Sequence, residues 1–155
     1  MTRILVLNGP NLNLLGDRDP SIYGSKTLDE INNELFKRSL ELEIEIVCYQ
    51  SNHEGSLIDK IHDERRLMHG LIINPGALAH YSYALRDALE AAGVPVVEVH
   101  ISNIFEREEW RRHSVTSPVA WKTIAGEGTH GYSIALDQLV SHLGGISTND
   151  DSDSR

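Results

Sequence analysis

Apolar residues fall in short, dense runs along this chain, with amphipathic stretches between them. Ile4-Leu5-Val6-Leu7 and Leu71-Ile72-Ile73 have no polar partner positions, and the same holds for most of Val96 to Val99. Such runs suit strands that are covered on both faces. Leu42 to Tyr49 reads as a further strand and Trp121 to Ala125 as a fifth. The stretches between have helical spacing. Thr27-Leu28-Asp29-Glu30 is a capping box, with Thr27 as N-cap, and opens a helix to about Leu40. A second helix places Leu57, Ile58, Ile61 and His62 on one face. Others are expected over about Ala79 to Ala92, Glu106 to Arg112 and Gly128 to Leu143.

Strands alternating with helices predict right-handed crossovers and an α/β fold, a parallel sheet between two helical layers. Five strands in this length favour the flavodoxin-like order 2-1-3-4-5. The absence of a repeat or linker makes residues 1–146 one domain. The stretch 147–155 is polar and acidic, and is expected to be a disordered tail. This order also predicts where a ligand sits: at the carboxyl ends of the strands, between strands one and three. Three polar segments meet there. They are Asn8 to Gly24, Asn74-Pro75-Gly76-Ala77 and His100-Ile101-Ser102-Asn103.

Charge and composition narrow the partners. The 155 residues carry a net charge of -9 and no basic run longer than a pair, which disfavours nucleic acid. A single cysteine, Cys48, allows no intrachain disulfide, so the reducing cytoplasm is the default. Met1 leads directly into the first strand, and no apolar run reaches membrane-spanning length. The eight histidines show no metal-ligand spacing.

Asn8 to Gly24 reads as a loop that closes over a pocket, because Leu12, Leu14, Leu15 and Ile22 are too apolar to leave in water. It carries Asn11, Arg18 and Tyr23. A free tyrosine titrates near ~10 and is a poor base at neutrality. A cation against it favours the phenolate, so arginine and tyrosine on one lid can make a base. Period two places Glu98, His100 and Ser102 on one face of strand four, where a carboxylate can orient an imidazole as a general acid. His80 and Asp87 are seven apart, on one face of the expected third helix. Arg107 and Arg111, four apart, would repel unless an anion lay against them. Gly126-Glu-Gly-Thr-His-Gly131 matches the dinucleotide fingerprint, but no further strand with an acidic residue follows it. A tight strand-to-helix turn is the better reading.

Several of these segments resemble type II 3-dehydroquinate dehydratases. They are residues 7–16, 22–24, 50–55, 73–77, 98–103 and 126–132, in that family's order. The resemblance implies the fold argued above and dehydration of 3-dehydroquinate to 3-dehydroshikimate without cofactor or metal. It implies Tyr23 as the base, activated by Arg18, and His100 as the acid, oriented by Glu98. Asn11 would stabilise an enolate through a bound water. Asn74 and the backbone of Ile101 and Ser102 would hold the substrate carboxylate, and His80 and Arg111 the ring hydroxyls. Asp87 would reach a neighbouring subunit's site in a homododecamer of four trimers. Asp19, the stretch Ala77 to Tyr83, and Trp121-Lys122 depart from the family's usual pattern. A flavodoxin-like binding module for an anionic metabolite is the competing class. It would need no base facing an acid.

Overall fold

The structure is a computed structural model that describes the backbone of residues 1–153 and the side chains of residues 1–146. One parallel sheet has the order β2-β1-β3-β4-β5. Its strands are β1 (Arg3–Asn8), β2 (Glu45–Gln50), β3 (Gly70–Asn74), β4 (Val96–His100) and β5 (Lys122–Ala125). The principal helices are α2 (Leu28–Glu41), α3 (Glu54–Glu64), α4 (Tyr83–Ala91) and α5 (Gly131–Asp153), and a single turn, α1 (Pro20–Tyr23), lies before them.

Period two along the strands splits the core in two. Ile4, Val6, Ile72, Val97 and Val99 face α2 and α5, and pack with Ile31, Leu35, Leu136 and Leu139. Leu5, Leu7, Leu71, Ile73 and Val96 face the other way, onto Leu57, Ile61, Leu85 and Leu89 of α3 and α4. Each fully buried aliphatic side chain contributes about 1.5–3 kcal/mol. Thr27 caps α2 as its sequence implies, accepting from the Glu30 N–H at 3.2 Å.

Where the elements differ from expectation, local chemistry explains it. Strand two starts three residues late, because Leu42 closes α2 and Glu43 turns the chain at φ 56°. The third helix starts at Tyr83 instead of Ala79. Gly76, at φ 59°, directs Gly76–His80 into a 3-10 turn, and Ser82 caps α4 by accepting from the Leu85 N–H at 3.0 Å. His80 and Asp87 therefore do not share a helix face. On α3, His62 is exposed and Glu64 turns inward, paired with Arg3 at 2.8 Å. The expected helix over 106–112 is instead two 3-10 turns, Ile104–Glu106 and Glu109–Arg111, with Arg107 extended between them. Asn103 caps the first turn at its start, and the extended backbone of Arg107 ends it after Glu106. The helical repulsion argued for Arg107 and Arg111 thus has no basis. Glu108 lies near both, 2.9 Å from Arg111 Nε and 3.8 Å from Arg107 Nε. The backbone of α5 runs past Leu143 to Asp153, while the side chains of the expected acidic tail lie outside the described residues. No described helix is long and apolar enough to cross a membrane.

Candidate active site

The order reversal places β1 beside β3 with Asn8 opposite Asn74. Both asparagines are buried, and a buried tyrosine from α5 joins them. Tyr132 Oη donates to Asn8 Oδ1 at 2.6 Å and accepts from Asn74 Nδ2 at 3.0 Å. Burial pushes the Tyr132 phenol far up, so it stays neutral and acts as a fixed polar pin. Asn74 Oδ1 accepts from the Gly76 N–H at 3.1 Å, which leaves one Nδ2 hydrogen free of these two bonds.

A cleft opens above this pin. Asn11, Arg18 and Tyr23 line it from the lid, and Asn74 and His80 from the segment after β3. His100, Ile101 and Ser102 line it after β4, with Arg107 and Arg111 beyond. The lid is more regular than a loop. Asp19 accepts from the Ser21 N–H, Pro20 opens α1, and that turn delivers Tyr23 to the cleft. Asn11 sits in the left-handed region at φ 69°. Its N–H donates to Asn52 Oδ1 at 2.9 Å, and Gln50 donates to Gly9 O and Asn52 Oδ1. The polar turn after β2 thus holds the base of the lid.

Tyr23 Oη receives two guanidinium donors. Arg18 Nη2 is at 3.0 Å and Arg107 Nη1 at 2.9 Å. Arg18 also covers the ring face, its Cζ 4.1 Å from the centroid. Two cations on one phenol oxygen stabilise negative charge there. The chain order could not show Arg107, which lies 84 residues from Tyr23. It stood out in the sequence only as a neighbour of Arg111.

Below the cleft, His100 Nε2 lies 2.8 Å from Glu98 Oε2, with Glu98 wholly buried. Ser114 Oγ donates to the same oxygen at 2.8 Å, and the Thr116 hydroxyl donates to Oε1. Burial pushes the Glu98 carboxyl up, but the bonds from His100, Thr116 and Ser114 and the charge of His100 together outweigh it. Glu98 therefore stays below the usual carboxylate range and ionised. Because Nε2 is given to Glu98, Nδ1 is the nitrogen left for a substrate. His80 Nδ1 meets the His113 carbonyl at 2.7 Å, and the ring stands edge-on to Trp110. Burial holds His80 below the usual imidazole range, aided by the nearby charges of His100 and Arg111.

Of the residues singled out in the sequence, Asp87 alone lies apart from this cleft and its support, on the exposed face of α4. The glycine-rich turn serves the site from behind. The Gly126 N–H donates to His100 O and Ser102 O, and the Gly128 N–H to Ile101 O. Gly126 has φ 81°, and a Cβ there would lie 3.1 Å from that of Asn103. Those amides are committed to protein carbonyls and cannot cradle a phosphate. Among the described residues there is no group of three or more His, Cys, Asp or Glu suited to a metal ion.

Comparison with known proteins matches the family described as dehydroquinase class II over residues 2–140. A 3-dehydroquinate dehydratase from Halothermothrix orenii is 56% identical over 141 residues, 91% of this chain and 95% of that protein. One from Bacillus subtilis is 50% identical over 147 residues, 95% and 99% of the two chains. The crystal structure of a type II dehydroquinase from Butyrivibrio crossotus superposes with a TM-score of 0.87 at 49% identity, covering 89% of this chain and 97% of that one.

Proposed function

The chain belongs to the class II dehydroquinase family, and we propose that its cleft performs that family's reaction with Tyr23 as base and His100 as acid. The reaction is dehydration of 3-dehydroquinate to 3-dehydroshikimate, the third step of the shikimate pathway. A binding module without turnover is not favoured. The observation that carries the reading is the pairing of opposites in one cleft. A phenol held by two guanidinium groups and an imidazole held by a buried carboxylate line the same cleft.

The Tyr23 phenolate takes the proton from C2, beside the ketone. The electrons pass to the ketone oxygen, and Asn11, with a bound water, stabilises the enolate. The enolate then reforms the carbonyl and expels the C1 hydroxyl, which leaves as water with a proton from His100 Nδ1. Glu98 keeps the imidazolium paired through Nε2. Tyr23 ends protonated and His100 neutral, and solvent exchange resets both. The spare Nδ2 hydrogen of Asn74 and the backbone of Ile101 and Ser102 hold the substrate carboxylate. His80 and Arg111 hold ring hydroxyls.

The working assembly is a homododecamer of four trimers in the cytoplasm. In it, Asp87 completes a neighbour's site. The support is its place on α4 near Tyr81 and Tyr83, which are 63% and 62% exposed. Sedimentation of the purified protein as a monomer would remove this part of the reading. Mixing the protein with 3-dehydroquinate and following the conjugated enone in the ultraviolet tests the chemistry. The expected result is enone formation that Tyr23→Phe abolishes while substrate still binds. Activity of Tyr23→Phe within a few-fold of the parent would remove Tyr23 from the role of base.

A further inference from the structure

The segment His113 to Thr116 contacts both histidine systems of the cleft. The His113 carbonyl accepts from His80 Nδ1, which fixes the hydrogen on that nitrogen, since a carbonyl can only accept. The Val115 N–H donates to Ala79 O at 2.7 Å and ties the segment to the turn that carries His80. Ser114 and Thr116 turn the other way, onto Glu98. Thr116 is wholly buried, and the Ser114 hydroxyl also accepts from the Ser117 N–H at 3.0 Å.

We infer that Ser114 and Thr116 are positioning residues for the acid step: their hydroxyls fix the Glu98 carboxylate so that Oε2 stays aimed at His100 Nε2. The inference rests on the reading of His100 as the acid. A carboxylate with no solvent contact must find its donors within the protein. Here Oε1 has Thr116, while Oε2 has His100 and Ser114. Thr116 prevents Oε1 from competing for the imidazole, and Ser114 sets the plane in which Oε2 meets it. If both hydroxyls are removed, His100 is the only donor left of the three. The carboxylate can then rotate about its last bond, and burial favours its neutral form. An imidazole without a fixed, charged partner is neither held in one tautomer nor supported as an imidazolium.

Thr116→Val keeps the volume of the side chain and removes the hydroxyl, while Thr116→Ser keeps the hydroxyl and removes the methyl group. Combined Ser114→Ala and Thr116→Val should lower kcat roughly ten- to a hundredfold, with KM within about twofold, because neither hydroxyl touches the substrate. Thr116→Ser should retain kcat within about twofold. Thermal unfolding of each variant tracks folding, and Glu98→Gln is assayed alongside. A hydroxyl-free double variant that turns over like the parent overturns the inference. So does Thr116→Ser as slow as Thr116→Val, since packing would then be the cause. If Glu98→Gln is slow and the double variant is fast, only the role of Ser114 and Thr116 fails. If Glu98→Gln itself keeps the parent kcat, the acid assignment fails and this inference falls with it.

Discussion

Arg107→Gln isolates the electrostatics of the base better than any change on the lid. Arg18 is five residues from Tyr23 and stacks on its ring, so its loss also disturbs how the lid seats. Arg107 approaches from outside the lid, with Nη1 2.9 Å from Tyr23 Oη and a weaker contact of 3.4 Å to Ser102 Oγ. At an effective dielectric near 20, a cation about 3–4 Å from a phenolate interacts by roughly 4–6 kcal/mol. The cleft admits water, so the smaller figure for a charge-assisted hydrogen bond, about 1.5–3 kcal/mol, is the share expected to survive. At about 1.36 kcal/mol per decade this is a loss of roughly 10- to 200-fold. The sign with pH follows from the charge. Removing a cation disfavours the phenolate, so more hydroxide is needed to form it. The acidic limb of kcat/KM should move to higher pH, with the largest loss at neutrality and partial recovery in alkali. The measurement is kcat/KM by enone absorbance from about pH 6 to 10, for the parent, Arg107→Gln and Arg18→Gln. Arg107→Gln within about threefold of the parent at neutrality would refute the argument. So would a profile lowered equally at every pH, because Arg107 would then order the cleft and not charge the oxygen. Movement of both limbs together would assign them to the Tyr23–His100 pair as a unit.

Three further outcomes can be checked. Tyr132→Phe leaves Asn8 Oδ1 and Asn74 Nδ2 buried without their shared partner, at a cost of about 2–4 kcal/mol. That is a fall of roughly 4–16 °C in unfolding midpoint, and a calorimetric change below about 2 °C would contradict it. The hydrogen bonds from Arg3 hold the Glu64 carboxyl below the usual range, so the folded value lies under the unfolded one. The stability this gives is present above the unfolded value near ~4.3 and is lost as pH falls through the folded one. Glu64→Gln should therefore melt lower than the parent at neutral pH, and the gap should close in acid; a gap constant with pH would remove the linkage. Among the described residues no lysine lines the cleft, so borohydride with substrate should not inactivate the protein. A substrate-dependent covalent adduct by mass spectrometry would overturn that.

Much of the architecture followed from patterns that act over a few residues. The unbroken apolar runs suited strands buried on both faces, and the alternation with helices implied a parallel sheet and favoured the order that the structure has. The order placed the ligand end. Thr27 and Glu30 marked the start of α2, and period two brought Glu98 and His100 to one face, because both rules depend on near neighbours alone. Boundaries were legible where a cap was, and misread where backbone geometry intervened. The left-handed turn at Gly76 moved His80 off the helix of Asp87, and the extended backbone at Arg107 divided the expected helix into two turns. What only the tertiary structure decided was the convergence of groups far apart in the chain. Arg107 reaches Tyr23 across 84 positions, Tyr132 pins Asn8 across 124, and Thr116 meets Glu98 across 18. A polar side chain at such a place carries no periodic signature. Its partner is set by how the sheet twists and how the loops close over its end, which involves every packed residue between them.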